Sequence, residues 1–508
     1  MRRVILITAL LGLIGIAACS LLWPRGMVIR GPMLGSMLGR GVGAPTELVV
    51  RDRFRTLPGL RVDLFAEGIE NARFMRFSPG GDLVVSQPRS GQLRLVLGDR
   101  DGDGRSDGHR VLLDGLDRPH GFDFREGHLY IGEGSAIARI AYSEKGPDSL
   151  AVEGEVIRIV EGIPQGGNHW SHSLRFGADG GMYIHVGSSC NVCEEEDARR
   201  AAILRYEPDG SGEEIYAYGL RNSVGFDWRP GTNEFYATDN GRDLLGDDDP
   251  PCELNRIERG AFYGWPYANG DRRPDPDFGE GHEGRIATST PPVHPFRAHN
   301  APLGMTFIRS ADAPEAIRGA ALVALHGSWN RSRLDGYKVV SLHWDEAGQI
   351  AERDFLTGFE IEEDVIGRPV DVAEGPDGSI YVSDDYAGAI YRVRIGKDAR
   401  GNVERRLRPP PGATQPAADP LASLDPEERA RLVARGETLF EDNACTSCHR
   451  TDPVETGSAL KPLDALTSRF DIDSLVTFFQ TPTPPMPVVH LPRAERRALA
   501  TYLLERYP

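Results

Sequence analysis

The apolar positions between about Leu57 and Gly396 repeat a short pattern. A turn that carries Gly or Asp-Gly precedes a run of alternating apolar residues, which is typical of a half-buried β-strand. The six copies begin at Gly80, Glu126, Asp179, Gly231, Ala320 and Pro376. Short-stranded repeats of about 50 residues are typical of a β-propeller, because each blade buries its faces only against its neighbours. We therefore predict an all-β, six-bladed propeller over residues 57–398.

The pattern becomes helical near the C-terminus. Asp425-Pro426-Glu427-Glu428 has the order of an N-cap, a first-turn proline and an acidic third position. Arg493 to Leu503 has the apolar spacing of an amphipathic helix. Residues 399–420 separate the two patterns and are rich in Pro and Ala, which predicts an extended and fairly stiff linker. We expect residues 421–508 to form a small all-α domain.

The N-terminus has the features of an export signal. Arg2-Arg3 precede an apolar run, and small residues follow up to Cys19. We expect residues 1–19 to be a lipoprotein signal peptide and a lipidated Cys19 to anchor the chain on the periplasmic side of a membrane. An uncleaved membrane anchor is the alternative, because Leu21-Leu22-Trp23 extends the apolar run. Residues 20–56 contain a Gly-rich segment and predict a flexible tether.

Composition limits the partners of this chain. It has 508 residues, which suggests two or three domains, and a net charge of −17, which argues against binding to nucleic acid. Six cysteines are few for this length, so the chain is not a disulfide scaffold.

The C-terminal region contains the run Cys445-Thr446-Ser447-Cys448-His449. A C-x-x-C-H run is the attachment signature of haem c, in which the thiols of Cys445 and Cys448 form thioethers and His449 binds the iron. A redox or zinc C-x-x-C is the alternative. The region resembles small class I cytochromes c, and Met486 is then the candidate sixth ligand.

Several polar clusters lie next to the predicted strands. They are Arg221-Asn222, Asn240-Gly241-Arg242, Glu253-Leu254-Asn255, Tyr263-Gly264-Trp265-Pro266, Gly187 to Glu195, and His326-Gly327-Ser328-Trp329-Asn330-Arg331. In this order the chain resembles the soluble pyrroloquinoline-quinone (PQQ) sugar dehydrogenases, the glucose, aldose-sugar and sorbosone dehydrogenase family. The last two clusters are closest to the sorbosone branch. The resemblance covers essentially the whole propeller.

The resemblance implies a catalytic role for His169 as the base that takes the hydroxyl proton. A histidine suits this role because its pKa lies near neutrality, although a histidine beside a tryptophan is more often structural in other contexts. Arg221 would polarise the quinone oxygens and Asn222 would hydrogen-bond beside it. Arg331 and Arg368 are candidates for the PQQ carboxylates, and ordinary surface ion pairs are their alternative.

Two positions depart from the family pattern. Asn330 lies where the glucose dehydrogenases have lysine, and Val370 lies where a second arginine might follow. We assign Asn330 and His299 to the cofactor site, with PQQ binding weaker than in the relatives or arranged differently.

The resemblance also implies a calcium ion held by main-chain carbonyls at Gly241 and Arg242. A second calcium candidate is an acidic run with acids at alternate positions, namely Asp99, Asp101, Asp103 and Asp107. This run resembles the start of an EF-hand loop but lacks its terminal Glu, and a solvated acidic turn is the alternative. Cys190 and Cys193 are candidates for a small-loop disulfide.

Together these features predict a quinohaemoprotein dehydrogenase. PQQ and calcium would oxidise a sugar or a related alcohol or aldehyde, and haem c would pass electrons to an external acceptor. The alternative is a propeller that binds carbohydrate or protein without PQQ and carries an electron-transfer haem. A lactonase needs neither quinone-binding arginines nor haem, so Arg221, Arg331, Arg368 and the two haem cysteines count against it.

Overall fold

The computed structural model describes residues 41–311, 313–395, 421, 424–443, 445, 449, 463, 466–468, 470–479 and 491–507. Contacts divide the chain into two compact units, one up to Ala399 and the other from Arg400. The first unit is a six-bladed β-propeller, as the repeats predicted. None of the helices within the described ranges combines the length and the apolar character that crossing a membrane requires.

Five four-stranded antiparallel sheets form blades 1–4 and 6, and blade 5 is a five-stranded sheet because the short β1 (Arg55–Thr56) pairs with its outer strand. Blade 1 contains β3 (Met75–Phe77), β4 (Leu83–Gln87), β5 (Gln92–Val96) and β6 (His109–Leu113). Blade 2 contains β7 (Phe122–Arg125), β8 (His128–Gly132), β9 (Ala136–Ser143) and β10 (Ala151–Glu161). Blade 3 contains β11 (Leu174–Phe176), β12 (Met182–Val186), β13 (Ala202–Tyr206) and β14 (Glu214–Tyr218). Blade 4 contains β15 (Phe226–Trp228), β16 (Phe235–Asp239), β17 (Cys252–Ile257) and, after an insertion, β20 (His294–Phe296). Blade 5 contains β21 (Pro302–Phe307), β22 (Ala321–Leu325), β23 (Lys338–Trp344) and β24 (Ile350–Thr357).

Blade 6 closes the ring with a strand from the other end of the propeller unit. It combines β27 (Pro369–Glu374), β28 (Ile380–Asp384) and β29 (Ala389–Ile395) with β2 (Leu60–Ala66) as its outermost strand. In this pairing Leu60 lies opposite Ile395 and Leu64 opposite Tyr391. The ring therefore depends on a seam between β2 and β29, which lie more than 300 residues apart along the chain.

Short elements complete the propeller unit. They are α1 (Glu47–Arg53), β1 (Arg55–Thr56), which pairs with β24, the hairpins β18 (Ala268–Asn269) with β19 (Arg273–Pro274) and β25 (Glu360–Ile361) with β26 (Asp364–Val365), and α2 (Glu283–Thr288). The end of the predicted tether is therefore helical rather than flexible, because Val50 and Phe54 pack into the core next to blades 5 and 6. The signal peptide, Cys19 and the linker at 399–420 lie outside the described residues.

The six sequence repeats coincide with the second strands of the six blades. In β4, β12, β16, β22 and β28 every residue is buried. A second strand has a neighbour on both sides within its sheet and an adjacent blade on each face, so its apolar run is nearly continuous. This burial is why the second strands gave the clearest signal in the sequence.

The described part of the C-terminal unit contains a 3-10 turn at Leu466–Ser468 and three helices, α3 (Pro426–Asp442), α4 (Ile472–Phe478) and α5 (Arg493–Arg506). The Asp425 carboxylate caps α3 by accepting from the backbone N–H groups of Glu427 and Glu428 at 3.0 and 2.9 Å. Helices α3 and α5 pack closely at Gly436, where a Cβ would lie 2.2 Å from the Ala498 carbonyl oxygen. Only glycine allows this close approach.

Candidate active site

The candidate residues gather at one end of the propeller, which we call the loop face. At this end the first strand of each blade begins and the second strand ends. Acidic residues that end second strands hold the loops that lead into first strands. Glu133, just after β8, accepts from the backbone N–H of Asp117 at 2.8 Å, and Asp384 in β28 accepts from that of Arg368 at 2.9 Å. Backbone position at the loop face is therefore set within each blade.

Asp239 plays this part for the predicted Arg221-Asn222 pair. Its carboxylate accepts from the backbone N–H of Arg221 at 2.9 Å and from that of Asn222 at 2.5 Å. Burial raises the pKa of Asp239 to about 7. Asp239 thus fixes the direction in which both side chains leave the backbone.

All five N–H donors of the Arg221 guanidinium are used within the protein. They reach the carbonyl oxygens of Asn191, Asn240 and Gly241, the Asn191 side-chain oxygen and the Asp243 carboxylate, at 2.8–3.1 Å. Asn191 lies between Cys190 and Cys193, which form a disulfide. Arg221 therefore ties the disulfide loop to the loop that follows β16.

Three predicted residues from three parts of the chain meet at Asp243. Arg221 donates to its carboxylate at 2.9 Å and Asn330 donates at 3.2 Å. The His299 Nδ1 lies 3.9 Å from the same group. Both His299 Nδ1 and Asn330 Oδ1 are buried without a hydrogen-bond partner among the described residues. Asp243 therefore joins residues that are far apart in the sequence.

His169 has the geometry of a neutral base. Its Nδ1 lies 3.0 Å from the Ser188 carbonyl oxygen, which can only accept, so Nδ1 carries the proton. Nε2 then carries the lone pair. Burial and the charge of Arg221 lower the pKa of His169 well below its ordinary value. Gly187 lies against both His169 and Asn222 and leaves no room for a side chain, because a Cβ there would lie 2.4 Å from His169 Cβ and 3.0 Å from Asn222 Oδ1.

A second histidine orients Asn222. His185 Nδ1 accepts from the Ser173 backbone N–H at 3.1 Å, so its Nε2–H donates to Asn222 Oδ1 at 3.2 Å. Burial and the neighbouring His172 lower the pKa of His185 to about 3. The neutral His185 ring therefore fixes the orientation of the Asn222 amide.

A second group of residues lies in blades 1, 5 and 6, on the other side of the central channel that the six blades surround. Asp385 accepts from Arg73 and from His326, each at 2.8 Å. Burial and Arg368 lower the pKa of His326 to about 4 despite the opposing charge of Asp385. Arg368 donates only to the carbonyl oxygens of His326 and Gly327, each at 3.2 Å.

A cleft of about 510 Å³ opens beside this second group. It is lined by Asn71, Arg73, Pro88, Arg89, Arg118, Trp170, His326 and Asp385. The Arg118 guanidinium lies 4.0 Å from the Trp170 ring centroid, so a cation and an aromatic face border the opening. Trp170 follows His169 directly, which connects this cleft with the predicted base.

Two predicted arginines bind loops of blade 4. Arg331 donates to the Asp247 and Ala298 carbonyl oxygens and to the Asp248 carboxylate. The Arg242 side chain forms a buried double contact with Asp275 at 2.7 and 2.8 Å. Sequence reasoning had named only the main chain of Arg242 as a calcium ligand.

The other mouth of the channel, where first strands turn into second strands, is called the turn face. A cavity of about 360 Å³ there is lined by charged first-strand residues. Arg175 and Arg309 contact Asp227 at 2.9 and 2.7 Å. Although burial opposes ionisation, these arginines hold the pKa of Asp227 at about 2.

The remaining predicted residues of the propeller unit lie away from the loop face. Asp99, Asp101 and Asp103 bring their carboxylates together in the loop between β5 and β6, without Asp107. In the C-terminal unit, His449 donates its backbone N–H to the Cys445 carbonyl at 3.0 Å, which is one helical turn. Cys448 and Met486 lie outside the described residues.

The site residues that sequence reasoning missed are mostly carboxylates: Asp239, Asp243, Asp384 and Asp385. Three of them end or follow a second-strand copy, at Thr238-Asp239 and Ser383-Asp384-Asp385. An acid directly after a repeated apolar run is a readable signal. No such signal marks Asp243.

Comparison with known proteins agrees with this geometry. The sequence model of the Glucose / Sorbosone dehydrogenase family matches residues 126–392. A protein of uncharacterised function from Borreliella burgdorferi is 34% identical over 297 residues, which is 56% of this chain and 77% of that protein. The aldose sugar dehydrogenase YliI of Escherichia coli is 26% identical over 250 residues, covering 45% and 60%.

Among solved structures, the holo form of the PQQ domain of pyranose dehydrogenase from Coprinopsis cinerea has the same fold. It superposes with a TM-score of 0.58 at 21% identity, covering 69% of this chain and 98% of that one. At this identity the likeness extends to the fold.

Proposed function

We propose, since the chain belongs to the glucose/sorbosone dehydrogenase family, that it oxidises a sugar or a related alcohol or aldehyde with PQQ at the loop face. The Escherichia coli relative is named an aldose sugar dehydrogenase, and the Coprinopsis domain is named for PQQ. The proposal extends to calcium at the same face and to haem c in the C-terminal unit.

The observation that carries the PQQ proposal is the buried guanidinium of Arg368. Its exposure is 8%, and among the described residues no carboxylate lies within 4.0 Å of it. The acid that senses its charge, Asp385, is bound directly by Arg73 and His326 instead. A buried cation without a direct carboxylate contact is unfavourable, and a carboxylate ligand relieves that cost. Unpartnered buried atoms at His299 Nδ1, Asn300 Oδ1 and Asn330 Oδ1 add hydrogen-bonding capacity at the same face. These residues fit an anionic, oxygen-rich cofactor.

His169 is proposed as the catalytic base. Its neutral ring presents the Nε2 lone pair, and this atom takes the proton from the substrate hydroxyl. Bound PQQ supplies the acceptor for the hydride that leaves the same carbon. Because its pKa is lowered, His169 is unprotonated at neutral pH and can accept the proton. Asn222, which Asp239 and His185 fix, orients the ligand beside it, and Arg221, whose N–H donors are all used within the protein, acts through its positive charge.

Calcium is proposed at Gly241 and Arg242. The Gly241 carbonyl oxygen accepts from the Arg221 guanidinium at 2.9 Å, so calcium bound there would replace that contact. The Asp243 carboxylate accepts from the same guanidinium, and oxygen donors are the ligands that calcium prefers. Calcium supplies Lewis acidity when bound.

Haem c is proposed at Cys445, Cys448 and His449, with Met486 as the sixth ligand. Cys445 packs against the apolar cluster of the C-terminal unit, which includes Phe440, Leu499 and Tyr502. An apolar wall beside a thiol and a histidine one turn away suits a covalently held porphyrin. Haem c supplies one-electron transfer to an external acceptor. We also propose export and a lipid anchor at Cys19, because covalent haem attachment occurs outside the cytoplasm.

The test follows haem absorbance in the purified, oxidised full chain with calcium, with and without PQQ, as aldoses and sorbosone are added. We expect the haem to be reduced only when both PQQ and a substrate are present. His169→Ala should lower the rate by about 10²–10⁴-fold, the range for loss of a general base. His128→Ala, at the turn-face end of blade 2, is the matched control and should retain the rate.

A PQQ-free binding propeller is the second candidate, favoured by Val370. This residue is fully buried with Phe74, Val224 and Leu303 and offers no cation to a cofactor. The same titration separates the candidates. Failure of the full chain to take up PQQ, with no reduction of the haem by any sugar, would leave the binding propeller.

A further inference from the structure

The loop between β5 and β6 extends from blade 1 to the seam that closes the ring. The Ser106 backbone N–H donates to the Phe65 carbonyl in β2 at 2.7 Å. Arg105 binds Glu67, just after β2, at 2.6 Å and Glu47 in α1 at 2.9 Å. The loop therefore holds the strand on which ring closure depends.

Three carboxylates meet within this loop. Oxygen atoms of Asp99, Asp101 and Asp103 all lie within 4.8 Å of one another. Asp101 and Asp103 are exposed, and each accepts from a backbone N–H two residues later, at 3.1 and 2.7 Å. Gly104 follows with φ +105°, a conformation that favours glycine.

Asp99 differs from the other two because it is buried. Its side chain is 6% exposed. Oδ2 accepts from Arg392 in β29 at 2.7 Å and from the Gly104 backbone N–H at 3.1 Å. Oδ1 is buried and has no hydrogen-bond partner among the described residues. A buried carboxylate oxygen without a partner is destabilising, and a cation would satisfy it.

We propose that Asp99, Asp101 and Asp103 bind a structural calcium ion that fastens the β5–β6 loop of blade 1 to the seam between β2 and β29 in blade 6. Asp99 is the link, because its Oδ2 binds β29 and its unpartnered Oδ1 is the atom that a bound ion would satisfy. The proposal is independent of PQQ and of the reaction at the loop face.

The spacing favours calcium over magnesium. Acids at the first, third and fifth loop positions with glycine at the sixth match the start of an EF-hand loop, and calcium tolerates irregular oxygen ligation whereas magnesium requires near-octahedral geometry. The twelfth position is Arg110, so the bidentate acid is missing. Arg392 also competes for Asp99. We therefore expect the weak affinity of extracellular calcium modules, roughly 10⁻⁴–10⁻³ M.

The test compares calcium binding and thermal unfolding in the full chain without PQQ. Asp101→Asn with Asp103→Asn removes two charges but keeps the side-chain oxygens that accept from the backbone. The matched control is Asp209→Asn with Asp345→Asn, two exposed residues that make the same kind of turn contact at Ser211 and Ala347. Both pairs change the net charge equally.

Calcium at about 10 mM should raise the Tm of the wild type and of the control by roughly 3 °C, and the variant should lack this rise. The wild type should bind one more calcium than the variant by calorimetry, and hydrogen exchange in β2 should slow with calcium only in the wild type and control. Any calcium at the loop face is common to all three proteins and cancels. Equal stoichiometry and equal Tm shifts in variant and wild type would overturn the proposal, and so would an equal shift with magnesium.

Discussion

The two ends of the central channel are lined by the same first strands but differ in how their charged side chains are paired. At the turn face, Arg175 and Arg309 share the Asp227 carboxylate within 3 Å. At the loop face, Arg368 has only carbonyl partners, and His299 and Asn330 each retain a buried atom without a partner. Paired charges hold blades together, whereas unpaired polar groups of this kind await a ligand.

The histidines follow the same division. His169, His172, His185 and His326 all lie at the loop face, and burial lowers the pKa of each. Neutral imidazoles can accept protons and orient ligands without adding charge. At the turn face, Arg175 and Arg309 keep Asp227 ionised, as its pKa of about 2 indicates. The paired charges of the turn face thus stabilise the propeller, whereas the neutral histidines of the loop face are suited to binding and chemistry.

The strongest test of this division removes one charge at each mouth. Asp227→Asn leaves the part-buried Arg175 and the exposed Arg309 without their shared carboxylate, so we expect the free energy of unfolding to fall by about 1.5–3 kcal/mol, the range for hydrogen bonds to charged groups. Arg368→Met should leave the Tm of the apoprotein unchanged or higher, because it removes an unpaired buried cation. Chemical denaturation measures both.

PQQ affinity should show the opposite ranking. Arg368→Met should weaken PQQ binding by about 10²-fold, the value of a charge-assisted hydrogen bond, and Asp227→Asn should leave it unchanged. Equilibrium dialysis checks this. Equal effects of the two substitutions on stability and on affinity would remove the distinction between the mouths.

The pH dependence of stability sharpens the comparison. The folded pKa of His185 is about 3, below the value of about 6.5 for an unfolded chain. Between these values the unfolded state binds a proton that the folded ring does not, so stability is full above pH 6.5 and is lost as pH falls. From pH 7 to pH 4.5 this single ring should contribute a loss of about 3 kcal/mol.

The His185→Gln variant should lack that contribution. The difference in unfolding free energy between wild type and variant should therefore shrink as pH falls, measured by denaturant unfolding at both pH values. A difference that is the same at pH 7 and pH 4.5 would contradict a neutral His185. Asp227 should not interfere, because its pKa lies well below this range.

The smallest expected effect concerns Asp243. Asp243→Asn keeps an oxygen for Arg221 but removes the negative charge at which Arg221, Asn330 and His299 meet. We expect kcat/KM for sugar oxidation to fall by about 10-fold, the scale of one charged contact. The control is Asp248→Asn in the same loop between β16 and β17, whose side chain is 87% exposed. A control that loses as much activity as Asp243→Asn would show that only the net charge of this loop matters.

Much of the fold could be predicted because its signals are local. Alternating apolar runs after glycine turns located all six second strands, since these strands are buried by their immediate neighbours. The same reasoning failed at residues 46–56, where Val50 and Phe54 become core only because blades 5 and 6 provide a surface. It also overlooked the carboxylates that hold backbone N–H groups, since a lone acid after a strand resembles a solvated turn.

The sequence by itself determined the repeat number, the type of each long element and the C-x-x-C-H motif, because these depend on residues close together along the chain. Only the tertiary structure decided which residues form a site. Arg221, His299 and Asn330 reach Asp243 because ring closure brings their loops to one face, and Asp99 meets Arg392 across 293 positions of sequence. Residue spacing along the chain does not predict these contacts, because the packing of the six blades creates them.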